Sequence, residues 1–240
     1  FASIRFNFGS VDFRLADQGI FNFPYIWHFN AYFVAFLKLF LAVVIVSMVS
    51  SEYTNRTLKQ NLIDGLSKKG FILSKFYGVL SFALASTLLL FIVSLILGLI
   101  FSDYDEIGII FSDLEYIFAY FLKLVGFFSM CLFFGILLKR SAFALGFLFL
   151  LWIFEGIIQL FIKFQAESLD FIIQFLPLQS MGDLIIEPLT RLGIVKSTAS
   201  QLHSEFTKTY DVEWSAVLIV IGWSFIFIYS SWKLLQKRDL

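Results

Sequence analysis

Cysteine, histidine, proline and charge are all scarce in this 240-residue chain. One cysteine, Cys131, lies within an apolar run, so an intramolecular disulfide framework is excluded and the thiol reads as a small buried hydrophobe. The two histidines, His28 and His203, are distant from each other and from Cys131. The chain alone therefore supplies neither a zinc site nor a pair of histidine haem ligands, and no metal ligands are expected. A phosphate-binding GxxxxGK(S/T) is also missing: GLSKKG at 65–70 has the glycine spacing but lacks the Lys and Ser/Thr that would have to come next. ATP binding by that route is excluded, no catalytic residues stand out, and the zero net charge gives no reason to expect a nucleic-acid partner.

What is abundant is apolar and aromatic. A chain that is 59% hydrophobic and 20% aromatic, with 33 Phe and a mean hydropathy of +0.86, lies outside the soluble range and reads as an integral, multi-pass membrane protein. Apolar runs at 31–50, 76–101, 116–138, 142–162 and 214–232 each reach spanning length. They are continuous rather than alternating, and lipid forces backbone polar groups to be satisfied within each segment, so an all-α helical bundle is expected. All of it forms one transmembrane domain.

Orientation comes from Lys and Arg near the ends of the runs. The 51–75 connector holds Arg56, Lys59, Lys68, Lys69 and Lys75, the 139–140 turn is Lys-Arg, and Lys233, Lys237 and Arg238 lie after the last run. These sites share the cytosolic side if all the runs span. The 102–115 loop, with Asp103, Asp105, Glu106, Asp113 and Glu115 and no Lys or Arg, faces outward. Residues 1–30 are then an aromatic-rich outer segment, with His28 an interface residue rather than a ligand. Residues 163–213, which carry Lys163, Arg191, Lys196, Lys208 and His203, form a long outer connection broken by Pro177 and Pro188. Short helices dipping into the outer leaflet and a folded outer loop both fit it. The chain starts at Phe1 without an initiator Met, and one further helix upstream would put both termini in the cytosol, so a six-helix parent is expected.

Three ionisable residues fall inside the runs: Lys38, Lys123 and Glu155. At helical rise they share one level, roughly 10 Å below the outer surface. Two readings stay open: Glu155 pairs with Lys123 or Lys38 across helices, or each lysine snorkels separately to the interface.

Within the connector, Leu58, Leu62 and Leu66 recur at four-residue spacing with Ile63 beside them, giving an apolar stripe opposite Arg56, Lys59, Gln60 and Asn61. Gly65 loosens the helix near its end, and Ser67 is placed to cap the next short turn. Such a segment can lie on the inner leaflet or dock on a partner.

The order of a spanning run, Glu52, Thr57, a Leu-rich turn, GLSKKGFILSK and a second spanning run resembles the membrane subunit of type-2 ABC transporters, the six-helix ABC export permeases. The resemblance extends over residues 31–238. The family's Glu, Thr, basic turn and helix-initial Lys correspond to Glu52, Thr57, Ser67-Lys68-Lys69 and Lys75. Where the family often has Gly before the Thr and Pro before the basic turn, this chain has Arg56 and Gly65-Leu66. The resemblance implies a permease rather than an enzyme, in the bacterial inner membrane, that moves substrate by alternating access. It implies two copies of a separate ATPase carrying ATP and Mg, and a second permease protomer. ATPase coupling would fall on Glu52, Arg56, Thr57, Leu58, Lys59, Leu62, Ile63, Leu66, Lys68, Lys69 and Lys75. The alternatives are a proton-coupled secondary transporter, a membrane-embedded enzyme or a scaffold built around Glu155.

Overall fold

The computed structural model describes residues 5–8, 11–14, 20–104, 106–165, 167–191 and 210–238. Apart from one short hairpin, β1 (Arg5–Phe8) paired antiparallel with β2 (Val11–Arg14), the described residues form helices and their connections. In order these are α1 (Tyr25–Val34), a 3₁₀ turn (Ala35–Leu37), α2 (Lys38–Thr54), α3 (Thr57–Ile63), α4 (Lys68–Phe101), α5 (Ile107–Ile110) and α6 (Glu115–Leu138). Then come α7 (Ser141–Gln165), a 3₁₀ stretch (Glu167–Phe175), α8 (Pro177–Asp183), a 3₁₀ turn (Leu189–Arg191) and α9 (Trp214–Gln236). Five helical segments are long and apolar enough to cross a membrane: Tyr25–Thr54, Lys68–Phe101, Ile107–Leu138, Ser141–Gln165 and Trp214–Gln236. The protein is an all-α polytopic membrane protein.

The helices outrun the apolar windows. The first candidate span starts at Tyr25 rather than 31, and α4 starts at Lys68 rather than 76, so the last residues of the expected connector are the first turns of a 34-residue helix. Hydropathy marks where hydrocarbon ends, whereas the backbone continues wherever its hydrogen bonds do. Ser67 Oγ accepts the Gly70 N–H at 3.0 Å and starts α4 there.

Two compact units divide the chain. The first contains residues 1–35, 86–120 and 185–212. Its core is aromatic: Phe21, Phe23, Ile26, Trp27 and Ile110 are buried, with Phe91, Leu95 and Ile117 packed on them. Trp27 stacks on Phe91 with centroids 5.3 Å apart, and its Nε1 donates to the Ile110 carbonyl at 2.8 Å. Truncating so deep an aromatic costs about 3–5 kcal/mol, which makes it a main determinant of this unit. Phe23 lies directly on Gly98, where its ring leaves no room for an added Cβ. Phe23, Ile26, Trp27 and His28 of this aromatic stretch are thus packed in a core, while Tyr25 is exposed. His28 is 1% exposed, stacked on Tyr116 at 4.1 Å with its Nε2 2.7 Å from the Ile186 carbonyl oxygen.

The second unit contains residues 36–85, 121–184 and 213–240. From Leu122 to Ile136 every residue of α6 except Phe133 is buried. Small residues let neighbouring helices approach α6. A Cβ at Gly135 would sit 3.1 Å from Val49 Cβ on α2, and one at Gly126 would sit 2.9 Å from Val220 Cγ1 on α9. Outward faces carry Leu39, Phe40, Phe149, Trp152, Phe154 and Phe225, all exposed, as helices that contact lipid require. The end of this unit near residue 238 is tied by polar contacts. Arg238 Nη1 donates to the Ile136 carbonyl at 2.6 Å and Nη2 to that of Leu137 at 2.9 Å, satisfying the C-terminal carbonyls of α6. Lys68 Nζ donates to the carbonyls of Gln236 at 3.3 Å and Arg238 at 2.8 Å.

The 163–213 segment contains short helices, and Pro177 begins α8 instead of only breaking a run. Lys196, His203 and Lys208 lie outside the described residues.

Candidate functional site

The first candidate site is the connector, all of it in the second unit. α2 closes with Glu52 in its last turn, and its helix ends at Thr54 because the chain must reverse before α3. The reversal places Arg56 in the left-handed region at φ 58. This geometry brings together three residues that are separated in sequence. Glu52 Oε1 forms an ion pair with Lys75 Nζ, and Glu52 Oε2 accepts the Thr57 hydroxyl. The Glu52 and Lys75 side chains are 15% and 17% exposed, so the pair is largely shielded from solvent. After the reversal comes α3, which ends at Ile63 and is followed by Gly65 at φ +100, a backbone that a side chain rarely adopts.

The apolar stripe is divided by this fold. Leu58 is 2% exposed and packs inward, Leu62 is half-buried, and Ile63 and Leu66 are exposed at 75% and 40%. Leu66 also falls beyond the end of α3, so one continuous stripe through Leu66 is not formed; Gly65 stops the helix first. Arg56, Lys59 and Lys69 are exposed, whereas Lys68 is held by carbonyls after α9 and Lys75 by Glu52. The surface open to another molecule therefore comprises Ile63 and Leu66 with Arg56, Lys59 and Lys69 around them.

The second candidate site is the intramembrane charge cluster, also within the second unit. Of the two open readings, pairing of Glu155 with a lysine is not formed: the one ion pair among the described residues is Glu52–Lys75. Glu155, 3% exposed on α7, instead accepts the backbone N–H of Leu178 at 3.0 Å and of Gln179 at 3.2 Å. These first-turn N–H groups of α8 have no intrahelical partners and the helix start is electropositive, so they give the carboxylate hydrogen-bond donors where no ammonium reaches it. Lys123, 5% exposed, approaches the Gly182 carbonyl oxygen at 3.5 Å, and Lys38 Nζ lies 4.9 Å from the Phe127 ring centroid.

Residues that sequence reasoning missed complete this region. Gln159 donates to Gln179 Oε1 at 3.0 Å, and Gln179 Nε2 donates to Asp183 Oδ1 at 2.6 Å. Burial holds the Asp183 carboxyl above the usual aspartate range, with Glu213 adding to the effect and the Gln179 hydrogen bond and Lys123 opposing it. The spacing carried a signal: Gln159 stands one helical turn after Glu155, and Asp183 one turn after Gln179. No group of three or more metal-ligating side chains occurs among the described residues.

Five apolar helices, a charged turn between two of them and a polar cluster within the apolar segments define a multi-pass helical membrane protein. The chain belongs to the family described as protein of unknown function (DUF2705), whose model matches residues 4–240. Comparison with curated proteins and with solved structures returns no match.

Proposed function

We propose that this chain is the permease subunit of a type-2 ABC exporter in the bacterial cytoplasmic membrane, driven by a separate ATPase and paired with a second permease protomer. The observation that carries this reading is the Glu52–Thr57–Lys75 junction with Arg56 beside it. Arg56 occupies a left-handed position, the backbone that glycine favours, where the family resembled often has Gly. The departure in sequence is thus compatible with the same local shape.

The geometry also suits a lever. α4 runs unbroken from the Lys68 turn through the apolar segment to Phe101, so force applied at the connector acts on a spanning helix directly. On this reading ATP and Mg stay on the partner, which grips Ile63 and Leu66 while Arg56, Lys59 and Lys69 orient it. ATP-driven closure of two ATPase copies would rock the permease pair between inward and outward states.

The test is whether the tagged chain co-purifies with an ATPase from its own cells, followed by ATPase and transport assays after reconstitution. Ile63→Asp is expected to reduce ATPase retention at least about tenfold, the equivalent of one buried anchor, with membrane insertion unchanged. If no ATPase is retained or stimulated by the unaltered chain, the permease reading fails.

A further inference from the structure

Two lysines in the membrane-spanning part of the second unit form no ion pair with any carboxylate among the described residues, and we propose that Lys38 and Lys123 form a binding site for the phosphate or carboxylate head group of an amphipathic molecule. The site does not rest on the permease reading.

Lys123 is 5% exposed on the most buried face of the unit, and the contact its Nζ makes, to the Gly182 carbonyl at 3.5 Å, is at the outer limit of a hydrogen bond. An ammonium so placed does not snorkel to water, and burying one unpaired is costly. Lys38 points at the same part of α6. Its Nζ stands over Phe127, one turn beyond Lys123, so both side chains serve the same face of α6. A ring face offsets part of one charge and does nothing for the other.

The carboxylates that could neutralise the pair are engaged elsewhere. Glu155 accepts the N–H groups of Leu178 and Gln179. Asp183 accepts Gln179 Nε2, forms no ion pair with Lys123, and is disfavoured as an anion by its burial. Neither ammonium group is thus met by a carboxylate oxygen of the cluster, at a place where charge is expensive, and an incoming anion would supply that contact.

The surroundings specify the rest of the ligand. Lys38 is flanked by Leu37, Leu39 and Phe40, which are 50%, 59% and 74% exposed. A head group held between the lysines would leave its tail against this apolar track, whereas a small hydrophilic anion would find nothing there to hold it.

The experiment uses the full chain in nanodiscs of phosphatidylcholine, titrated with dodecyl phosphate and, as a tail-only control, dodecanol. Dodecyl phosphate is expected to bind at least tenfold more tightly, with Lys38→Met and Lys123→Met each weakening it about tenfold and the two Lys→Arg variants retaining it. Repeating the titration in nanodiscs containing phosphatidylglycerol identifies the source. Competition means that a bilayer lipid fills the site, and undiminished binding means a diffusible amphiphile; both support it. Equal affinity for dodecanol, or unchanged affinity in the methionine variants, overturns the proposal. Should Lys123→Met fail to fold, Lys38→Met at its half-buried position decides alone, and unchanged affinity there is also refuting.

Discussion

Replacing Glu52 tests the junction on which the connector is built. The Glu52 carboxylate meets Lys75 with one oxygen and Thr57 with the other. Fully exposed ion pairs contribute about 0.2–1 kcal/mol, and breaking a fully buried one costs about 3–5 kcal/mol. At 15% and 17% exposure the pair lies between these limits. Glu52→Gln keeps the side chain's shape and an acceptor for Thr57 but removes the charge, so a loss of about 2 kcal/mol is expected. Lys75→Met should cost a similar amount, because it leaves Glu52 with only the Thr57 hydroxyl. The double variant should then lose less than the sum, with a coupling of about 1–2 kcal/mol. Equilibrium unfolding in mixed detergent and SDS micelles measures all four corners of the cycle. Because the pair is shielded, raising salt from 0.05 to about 0.5 M should reduce the coupling only slightly. Additivity of the single variants within about 0.3 kcal/mol would refute the reasoning, since it would mean that the carboxylate and ammonium act separately.

Two other perturbations read local features. Arg56 holds a left-handed backbone at φ 58, which costs a non-glycine residue about 1–2 kcal/mol. Arg56→Gly should therefore be neutral or stabilising by up to about 1 kcal/mol after its extra unfolded-state entropy is subtracted, whereas Arg56→Val should destabilise, and thermal unfolding of the two variants in detergent gives opposite signs. Burial raises the Asp183 carboxyl above its unfolded value near 3.9. Between that value and the raised one the folded state binds more protons, so stability should fall as pH rises through this window. Asp183→Asn should flatten that part of the stability profile measured by unfolding, and an unchanged slope would contradict the assignment.

The legibility of this fold in its sequence depended on range. The five spanning helices were readable because each apolar run is continuous and long, and lipid leaves the backbone no alternative. Their true ends were not, because polar residues such as Lys68 and Lys69 extend a helix that Ser67 has already capped. The division of the Leu58, Leu62 and Leu66 stripe was hidden for a different reason. Periodicity gives a face but not what covers it, and Gly65 ended α3 before Leu66 could join. At the charge cluster, position within the runs puts Lys38, Lys123 and Glu155 at one level, and pairing of opposite charges is one of the two readings that this leaves open. What overrode it was a competitor invisible in side-chain chemistry, the backbone N–H groups that Pro177 sets up at the start of α8. His28 on Tyr116 is likewise a contact between distant parts of the chain that no local pattern encodes.

The contacts around Arg238 give the second unit a mechanical property. One guanidinium grips the last carbonyls of α6, and the carbonyls of Gln236 and Arg238 hold the ammonium of Lys68 at the start of α4. Three helix ends thereby share a single fastening, so a tug on any one of them is divided among the others. A displacement entering at the turn before α4 would not bend that helix alone but would load α6 and α9 together, as a yoke distributes a pull among the shafts attached to it.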